Sequence, residues 1–330
     1  MSVYSKVLRY NLGNTTKDIK LYTSISDVGE RYITIRDNGN NVYAPLLDSN
    51  SSLASNIKVR LNNTDYAVGY RIVDPTPGLL LERTRAGTHT TYYNVGDTFN
   101  IVLNGKVTDY LSFNNETYQA VIIGFDHNKK LETGGAYSTH LAICKKSGST
   151  GNIAFVEDTS SAVQITDGSN RLAHNLTQAS NRGGWSTSVI RLRWLNVEFL
   201  ACMPPEWVDV MGATTKYTDN MGNSNVEGSV TDTTDRMFLM SEYELYGTRS
   251  YANTYEQNYQ AQYTYFATSS NRKFYRHDTG KGCSCNFRSP YYNNASDFCL
   301  FLIYNSYKSW KKEHAAANYT RPIVPCFAVF

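Results

Sequence analysis

Short β-prone runs, each closed by a turn-forming cluster, fill the first 115 residues and restrict that part of the chain to small antiparallel modules. Tyr32 to Ile35 is one such run; Asn38-Gly39 supplies a hairpin turn and Val42 to Leu47 returns. Residues 57–61 and 66–73 make a second pair around Asn62-Asn63-Thr64-Asp65, and 98–103 and 106–113 a third around Asn104-Gly105. Asp74-Pro75-Thr76-Pro77-Gly78 interrupts the pattern and marks a boundary. The expectation is a β attachment or trimerisation region over 1–74, then a β-hairpin linker module over 75–115.

From 116 to 330 the pattern turns α+β, the fold class expected for the chain. Residues 117–127, 140–146 and 152–158 read as buried or half-buried strands. Residues 184–200 read as a helix with Ser186 as N-cap and Val189, Ile190, Leu192, Trp194, Leu195 and Phe199 as its apolar faces. Trp185 and Trp194 are expected to anchor the core. In 233–247 a strand, Met237 to Met240, runs into a helix; Ser241 with Glu244 forms a capping box and Gly247 closes the end.

Charged residues are only 18% of the 330, below the usual quarter, so polarity comes from Ser, Thr, Asn and Tyr. That balance suits an extracellular β-rich particle or adhesin. A scattered net charge of +3 offers no basic stripe, so no nucleic-acid partner is expected. The opening MSVYSKVLRYNLG lacks a signal peptide's apolar core, and no run approaches the ~18 apolar residues of a membrane span. Membrane insertion is therefore not expected, and a protein that works outside the cell would leave by another route, for example by lysis as part of a virus particle.

Catalytic signatures are absent: no G-x-S-x-G elbow, no Walker loop and no H-E-x-x-H. Asp126-His127 and His277-Asp278 are the local acid–histidine groupings, but adjacent strand residues point to opposite faces. Cysteines 144, 202, 283, 285, 299 and 326 are not at zinc spacing, and reduced or incidentally paired thiols are expected. The chain reads as a non-enzyme with no metal and no cofactor.

Residues 281–330 alternate scaffold-like blocks with large two-faced side chains. Phe287-Arg288-Ser289-Pro290, Ser296-Asp297-Phe298-Cys299 and Val324-Pro325-Cys326-Phe327-Ala328-Val329 are the blocks. Tyr304, Tyr307, Lys308, Trp310, Lys311, Lys312, His314 and Tyr319 lie between them. Tyr and Trp give rigid, amphipathic contact area, so a displayed binding face is one reading. Packed loops are the other, since half of the 26 tyrosines lie before residue 218. Arg288 is expected to fix a turn through hydrogen bonds. Tyr259 and Tyr263, four apart, can face solvent or pack inward.

The ordered blocks GWSTSVIRLRWLN, DRMFLMSEYELYG, FRSP, SDFC and PCFAV resemble a widespread uncharacterised domain of gut bacteria and their phages, over 116–330. That domain is related to the C-type-lectin-like fold shared with formylglycine-generating enzymes. NTTKDIKLYTSISDV and NVYAPLL are similar to the opening of accessory virion proteins of phages of anaerobic gut bacteria. The resemblance implies a virion protein exposed on the phage particle surface, with small all-β modules followed by a C-type-lectin-like domain. In several such phages this fold is the target of a diversity-generating retroelement, which rewrites the last stretch. The family's W-x-L before R-S-P is Cys285-Asn286-Phe287 here, and its G-V before the terminal proline is Ile323-Val324. Copper and cysteine chemistry of the enzymes finds no matching arrangement, and calcium is not implied.

The expected partners are a host bacterial surface protein or glycan and other virion proteins, the chain acting as a homotrimer. Expected ligand-binding residues are Tyr304, Tyr307, Lys308, Trp310, Lys311, His314, Asn318 and Tyr319, with Asn286, Tyr291, Tyr292 and Asn293 at the edge. A capsid decoration protein or head fibre with a mainly structural role is the alternative.

Overall fold

The computed structural model describes the strands between residues 4 and 69, then residues 76–149, 151–157, 162–304 and 309–330; side chains are described from 76 onward, 302–311 excepted. The chain divides into two compact units, Met1–Pro75 and Thr76–Phe330.

The first unit is an antiparallel sheet of six strands: β1 (Tyr4–Leu12), β2 (Thr15–Tyr22), β3 (Tyr32–Asp37), β4 (Asn40–Asp48), β5 (Ala54–Leu61) and β6 (Thr64–Gly69). Their order is β1-β2-β4-β6-β5, with β3 also on β4. Pairing of β3 with β4 runs to Asp37↔Asn40, the hairpin expected around Asn38-Gly39. The second expected hairpin is β5 with β6, closing at Leu61↔Thr64.

The second unit is mixed α and β. Its main sheet is formed by β7 (Thr98–Thr108), β8 (Leu111–Phe125) and β9 (Thr139–Lys145), continued by chain-distant strands. After β10 (Asn152–Ala154) come β11 (Met211–Gly212), β12 (Thr214–Asp219), β13 (Val230–Asp235) and β14 (Met237–Phe238). The last five are β15 (Phe274–Arg276), β16 (Cys285–Pro290), β17 (Asp297–Tyr304), β18 (Ser309–Ala316) and β19 (Cys326–Val329). The main sheet has the order β11-β19-β9-β8-β7, with β14 also on β19, so β19 is an interior strand between β9 and the short β11 and β14. A second sheet, β16-β17-β18, carries the tail; β12 pairs with β13, and β10 runs parallel to β15.

The structure corrects the expected linker at 75–115. This stretch carries the helix Pro77–Arg85, whose N-cap Thr76 accepts from Leu79 N at 3.2 Å, and then β7. β7 pairs with β8 from Thr98↔Val121 to Thr108↔Leu111 and so belongs to the main sheet. Asn104-Gly105 is not the hairpin turn. The register shifts there, and Asn104 N donates to Cys202 O at 3.0 Å, so the strand continues through a bulge and turns at Asp109-Tyr110.

A second correction concerns 184–200. The helix Gly184–Thr187 ends at extended Ser188, and a π-helix follows over Ile190–Phe199. Ser186 is no N-cap; its hydroxyl donates back to Gly183 O at 2.6 Å. Ile190, Trp194, Leu195 and Phe199 are buried, while Leu192 is 53% exposed. The buried pairs 190/195 and 194/199 are five apart, the repeat of i→i+5 winding. Phe199 meets Phe113 and Phe155 at 5.6 and 5.3 Å between ring centroids, which puts the core between this helix and the main sheet. Trp185 and Trp194 are both buried, as expected.

At 237–247 the helix forms as the sequence indicates, while the strand before it is shorter than expected, Met237–Phe238. Ser241 Oγ accepts from Glu244 N at 3.0 Å, Glu244 Oε2 accepts from Ser241 N at 3.0 Å, and Gly247 closes the helix with φ +68°. Among the described residues, no helix is long and apolar enough to cross a membrane.

Gly184 is one of two glycines, with Gly222, whose backbone is most closely approached. Its φ is +51°, and a Cβ there would lie 2.0 Å from Asp219 O. Gly184→Ala is expected to destabilise the protein by about 3 kcal/mol, combining left-handed strain with overpacking. Gly228→Ala, with nothing within 4 Å of its Cβ position, should change little. Urea unfolding midpoints of the two variants check this; equal midpoints would refute it.

Candidate binding face and its buried charged frame

Arg288 lies on β16 with no solvent exposure. Its guanidinium forks onto Glu244 of the capping box, Nη2 donating to Oε1 at 2.9 Å and Nη1 donating to Oε2. Nε donates to Thr218 Oγ1 at 2.8 Å and Nη1 to Leu239 O at 2.8 Å. Rather than fixing a turn, Arg288 ties β16 to β12 and to the strand–helix at 237–247.

Lys216 on β12 continues the chain of charge. Its Nζ donates to Glu132 Oε2 at 2.7 Å, Glu244 Oε1 at 3.1 Å and Tyr263 Oη at 2.9 Å, and all four groups are buried. Tyr263 thus packs inward, whereas Tyr259 is half-buried and stacks on Tyr217 at 5.1 Å. Two cations face two carboxylates, so the cluster is neutral. Burial alone would push Glu244 and Glu132 up. Arg288 and Lys216 outweigh it for Glu244, as Lys216, His127 and His140 do for Glu132, holding both below the usual carboxylate range.

Glu256 stands beside this network without a cation bonded to it. Its Oε1 accepts from Asp219 N at 2.9 Å, and its Oε2 lies 2.6 Å from Ser289 Oγ. Burial pushes its carboxyl up to about 7.

Three donor side chains, His127, Glu132 and His140, stand within 4.8 Å of one another as metal ligands would. An ion there would share Glu132 with the Lys216 ammonium, which already supplies the positive charge. The geometry is that of an ion-paired core. His127 Nδ1 pairs with Glu132 Oε1 at 3.1 Å rather than with Asp126, and His277 Nδ1 accepts from Val156 N at 3.3 Å. All six cysteines are buried thiols.

The tail sheet presents a half-buried ring cluster above this frame. His314 on β18 pairs through Nδ1 with Asp297 Oδ2 on β17 at 2.6 Å. Its ring stacks on Tyr291 at 4.3 Å and meets Tyr251 at 5.0 Å. Tyr292 packs edge-on against Tyr291 at 5.5 Å, and Asn293 is exposed. Two buried side chains hold the backbone beneath. Asn181 Nδ2 faces the carbonyls of Tyr291, Asn294 and Asp297 at 3.1, 2.7 and 2.8 Å. Glu242 accepts from the backbone N–H groups of Ser250, Tyr251 and Ala252 at 2.7, 2.9 and 2.7 Å.

The expected site residues divide accordingly. Tyr291, Tyr292, Asn293 and His314 come together; Tyr319 is half-buried, its hydroxyl 3.4 Å from Gln164 Oε1. Asn286 and Asn318 are corrections, being only 6% and 1% exposed. Asn318 Nδ2 donates to Ile165 O at 2.7 Å and Asn286 N to Pro322 O at 2.9 Å, so both belong to the frame. Tyr307 and Lys308 lie outside the described residues, as do the side chains of Tyr304, Trp310 and Lys311. Sequence reasoning missed Tyr251, Asp297, Asn181 and Glu242; only the SDFC block around Asp297 carried a signal.

Lys216→Met would leave two carboxylates buried beside one cation and should cost about 3–5 kcal/mol, read as a lowered urea midpoint. For Glu256 the folded pKa lies above the unfolded ~4.3, so its contribution is present at low pH and is lost as pH rises through about 7. Stability should fall by about 3 kcal/mol between pH 5 and 8 from this group, and Glu256→Gln should flatten that slope. A slope that persists in the variant assigns the titration elsewhere.

No curated protein and no solved structure matches the chain. The model of a domain of unknown function (DUF6273) matches residues 160–329, which covers both partners of the Arg288–Glu244 fork and the whole ring cluster. The chain is a member of that family.

Proposed function

We propose that this chain is a phage virion protein, exposed on the particle surface, that recognises a host bacterial surface protein or glycan without catalysis. In this reading the larger unit is a C-type-lectin-like domain and the six-stranded unit attaches and trimerises it. The observation that carries the reading is the ring cluster Tyr251–Tyr291–His314, half-exposed and held from beneath by Asn181, Glu242 and Asp297. Rigid aromatic groups whose cost of ordering is already met are what a recognition surface uses. Tyr304 ends β17, Trp310 and Lys311 stand near the start of β18, and with Tyr307 and Lys308 between them they belong to the same Tyr/Trp/Lys-rich stretch as His314.

The alternation of blocks supports a diversified tail. Phe287-Arg288-Ser289-Pro290, Asp297-Phe298-Cys299 and Cys326-Phe327-Ala328-Val329 are all buried, while 291–296 and 312–316 are half-buried or exposed. Residues between the blocks can change without entering the charged frame.

Binding of the full chain to host cells tests the reading, against Tyr251→Ala and Tyr291→Ala made together and Tyr304→Ala, Tyr307→Ala and Trp310→Ala made together. Buried-edge aromatic anchors are worth about 2 kcal/mol or more, so each set should lose at least ~30-fold in affinity with the urea midpoint nearly kept. If no host binds the parent while assembled capsids do, the protein is a decoration protein or head fibre instead.

A further inference from the structure

Arg276 and Arg321, with Glu157, Cys283, Ser284 and Thr320, line a cavity of about 170 Å³ beside β15. A water takes ~30 Å³ in the liquid, so there is room for a small molecule or for one group of a larger one. The charges around it are unevenly committed. Arg276 donates to both oxygens of Asp278, at 2.9 and 2.6 Å. Glu157 Oε1 accepts from Thr108 Oγ1 at 3.0 Å and Leu172 N at 2.6 Å, and its Oε2 takes Arg171 at 3.4 Å.

Arg321 has no such counterpart. Its Nε is buried and makes no hydrogen bond, and among the described residues it forms no ion pair. The aromatic contact it has is the Tyr319 ring, 5.8 Å from the guanidinium carbon. Burial lowers its pKa from the ordinary arginine value, with Tyr319 acting weakly the other way. A guanidinium does not give up its proton in proteins, so the half-buried group stays charged on the cavity wall with its Nε shielded from water. Thr320 adds a hydroxyl that already accepts from Val163 N at 2.8 Å and therefore has its own proton to donate.

The geometry points to an oxyanion-binding site in this cavity, where Arg321 meets a carboxylate or phosphate group of a ligand with Thr320 as a second donor. The planar fork of Arg matches either group. None of these residues belongs to the Tyr251–Tyr291–His314 cluster, so the site is separate from the proposed recognition face and does not depend on it.

The test uses the full chain with inorganic phosphate, glucuronate, and glucose as the neutral control, all at constant ionic strength. The thermal midpoint should rise with one or both anions and not with glucose; phosphate alone marks a phosphate-type ligand, glucuronate alone a sugar acid. Arg321→Met should weaken the response at least about tenfold, the loss of a charge-assisted hydrogen-bond donor. Cys283 lines the same cavity and gives a reading in the parent protein: the bound anion should slow its alkylation by iodoacetamide, followed by peptide mass. No anion response, a response unchanged in Arg321→Met, or no protection of Cys283 overturns the proposal. Should Arg321→Met fail to fold, protection of Cys283 decides alone.

Discussion

The fork between Arg288 and Glu244, closed by Lys216 and Glu132, is the constraint on which the rest of the second unit depends. Burying any one of these groups alone would cost several kcal/mol, and together they balance. Their sequence positions are what make the cluster structural. Glu132 follows the main sheet's β8, Lys216 is on β12, Glu244 caps the helix after β14, and Arg288 is on β16 of the tail sheet. An apolar core could fill the same volume, but it would tolerate small slips between these elements. A bidentate fork does not, because a shift of one residue along β16 would leave Arg288 without a carboxylate and Glu244 with Lys216 alone. Neutrality also accounts for Glu256: with two cations already matched by two carboxylates, a third negative charge has no cation left to neutralise it, and burial raises its carboxyl to about 7.

A second set of buried contacts transmits that rigidity outward. Asp235 accepts from Trp185 Nε1 at 3.1 Å and Arg191 Nε at 2.7 Å, and Asn196 exchanges hydrogen bonds with the backbone of Arg236 and Met237. The π-helix is thereby pinned to the strand that leads into Glu244. On the tail side, Asn181 gathers three carbonyls of 291–297 and Glu242 gathers three amides of 250–252. Each of these side chains satisfies backbone groups that a loop would otherwise show to water. The rings of Tyr251 and Tyr291 stand on those two anchored loops, and His314 closes the group through Asp297.

Local signals were legible in the sequence and non-local ones were not. The capping box at Ser241 and Glu244 needs only residues three apart, so it could be read directly. That Glu244 also receives Arg288 from 44 residues away leaves no trace in spacing or period. Asn104-Gly105 carries turn chemistry, yet β7 and β8 pair across 98–121 and the long ladder overrides it. Ser186 had the right residue type for a cap, but the buried pairs five apart belong to a π-helix, a winding that a 3.6-residue template does not seek. At the face, His314 could be singled out from its company of Tyr, Lys and Trp in the tail, whereas Tyr251 lies among Tyr243, Tyr246, Tyr255 and Tyr259, where nothing local sets it apart from tyrosines that pack inward. Asn286 and Asn318 were misread because an asparagine in an irregular tail looks like surface. A buried amide that binds a backbone carbonyl, as Asn318 does with Ile165, has the same composition.

The two layers differ in what a substitution can do to them. Frame residues hold several fixed partners each, so removing one strands charged or polar groups without water. Rings of the face touch one another by edges and stacks worth about 0.5–1.5 kcal/mol beyond their area, and their remaining surface already meets solvent. A change at Tyr291 or Tyr292 therefore alters shape and chemistry at the surface while Asn181 still holds the backbone through the carbonyl that any residue there would supply. Conversely, nothing that alters the face relieves the requirement that Arg288 find Glu244. Backbone-directed anchoring is what permits the separation: Asn181 and Glu242 grip main-chain atoms, which are indifferent to side-chain identity. A fold that must keep its frame while its tail varies would be built on contacts of this kind.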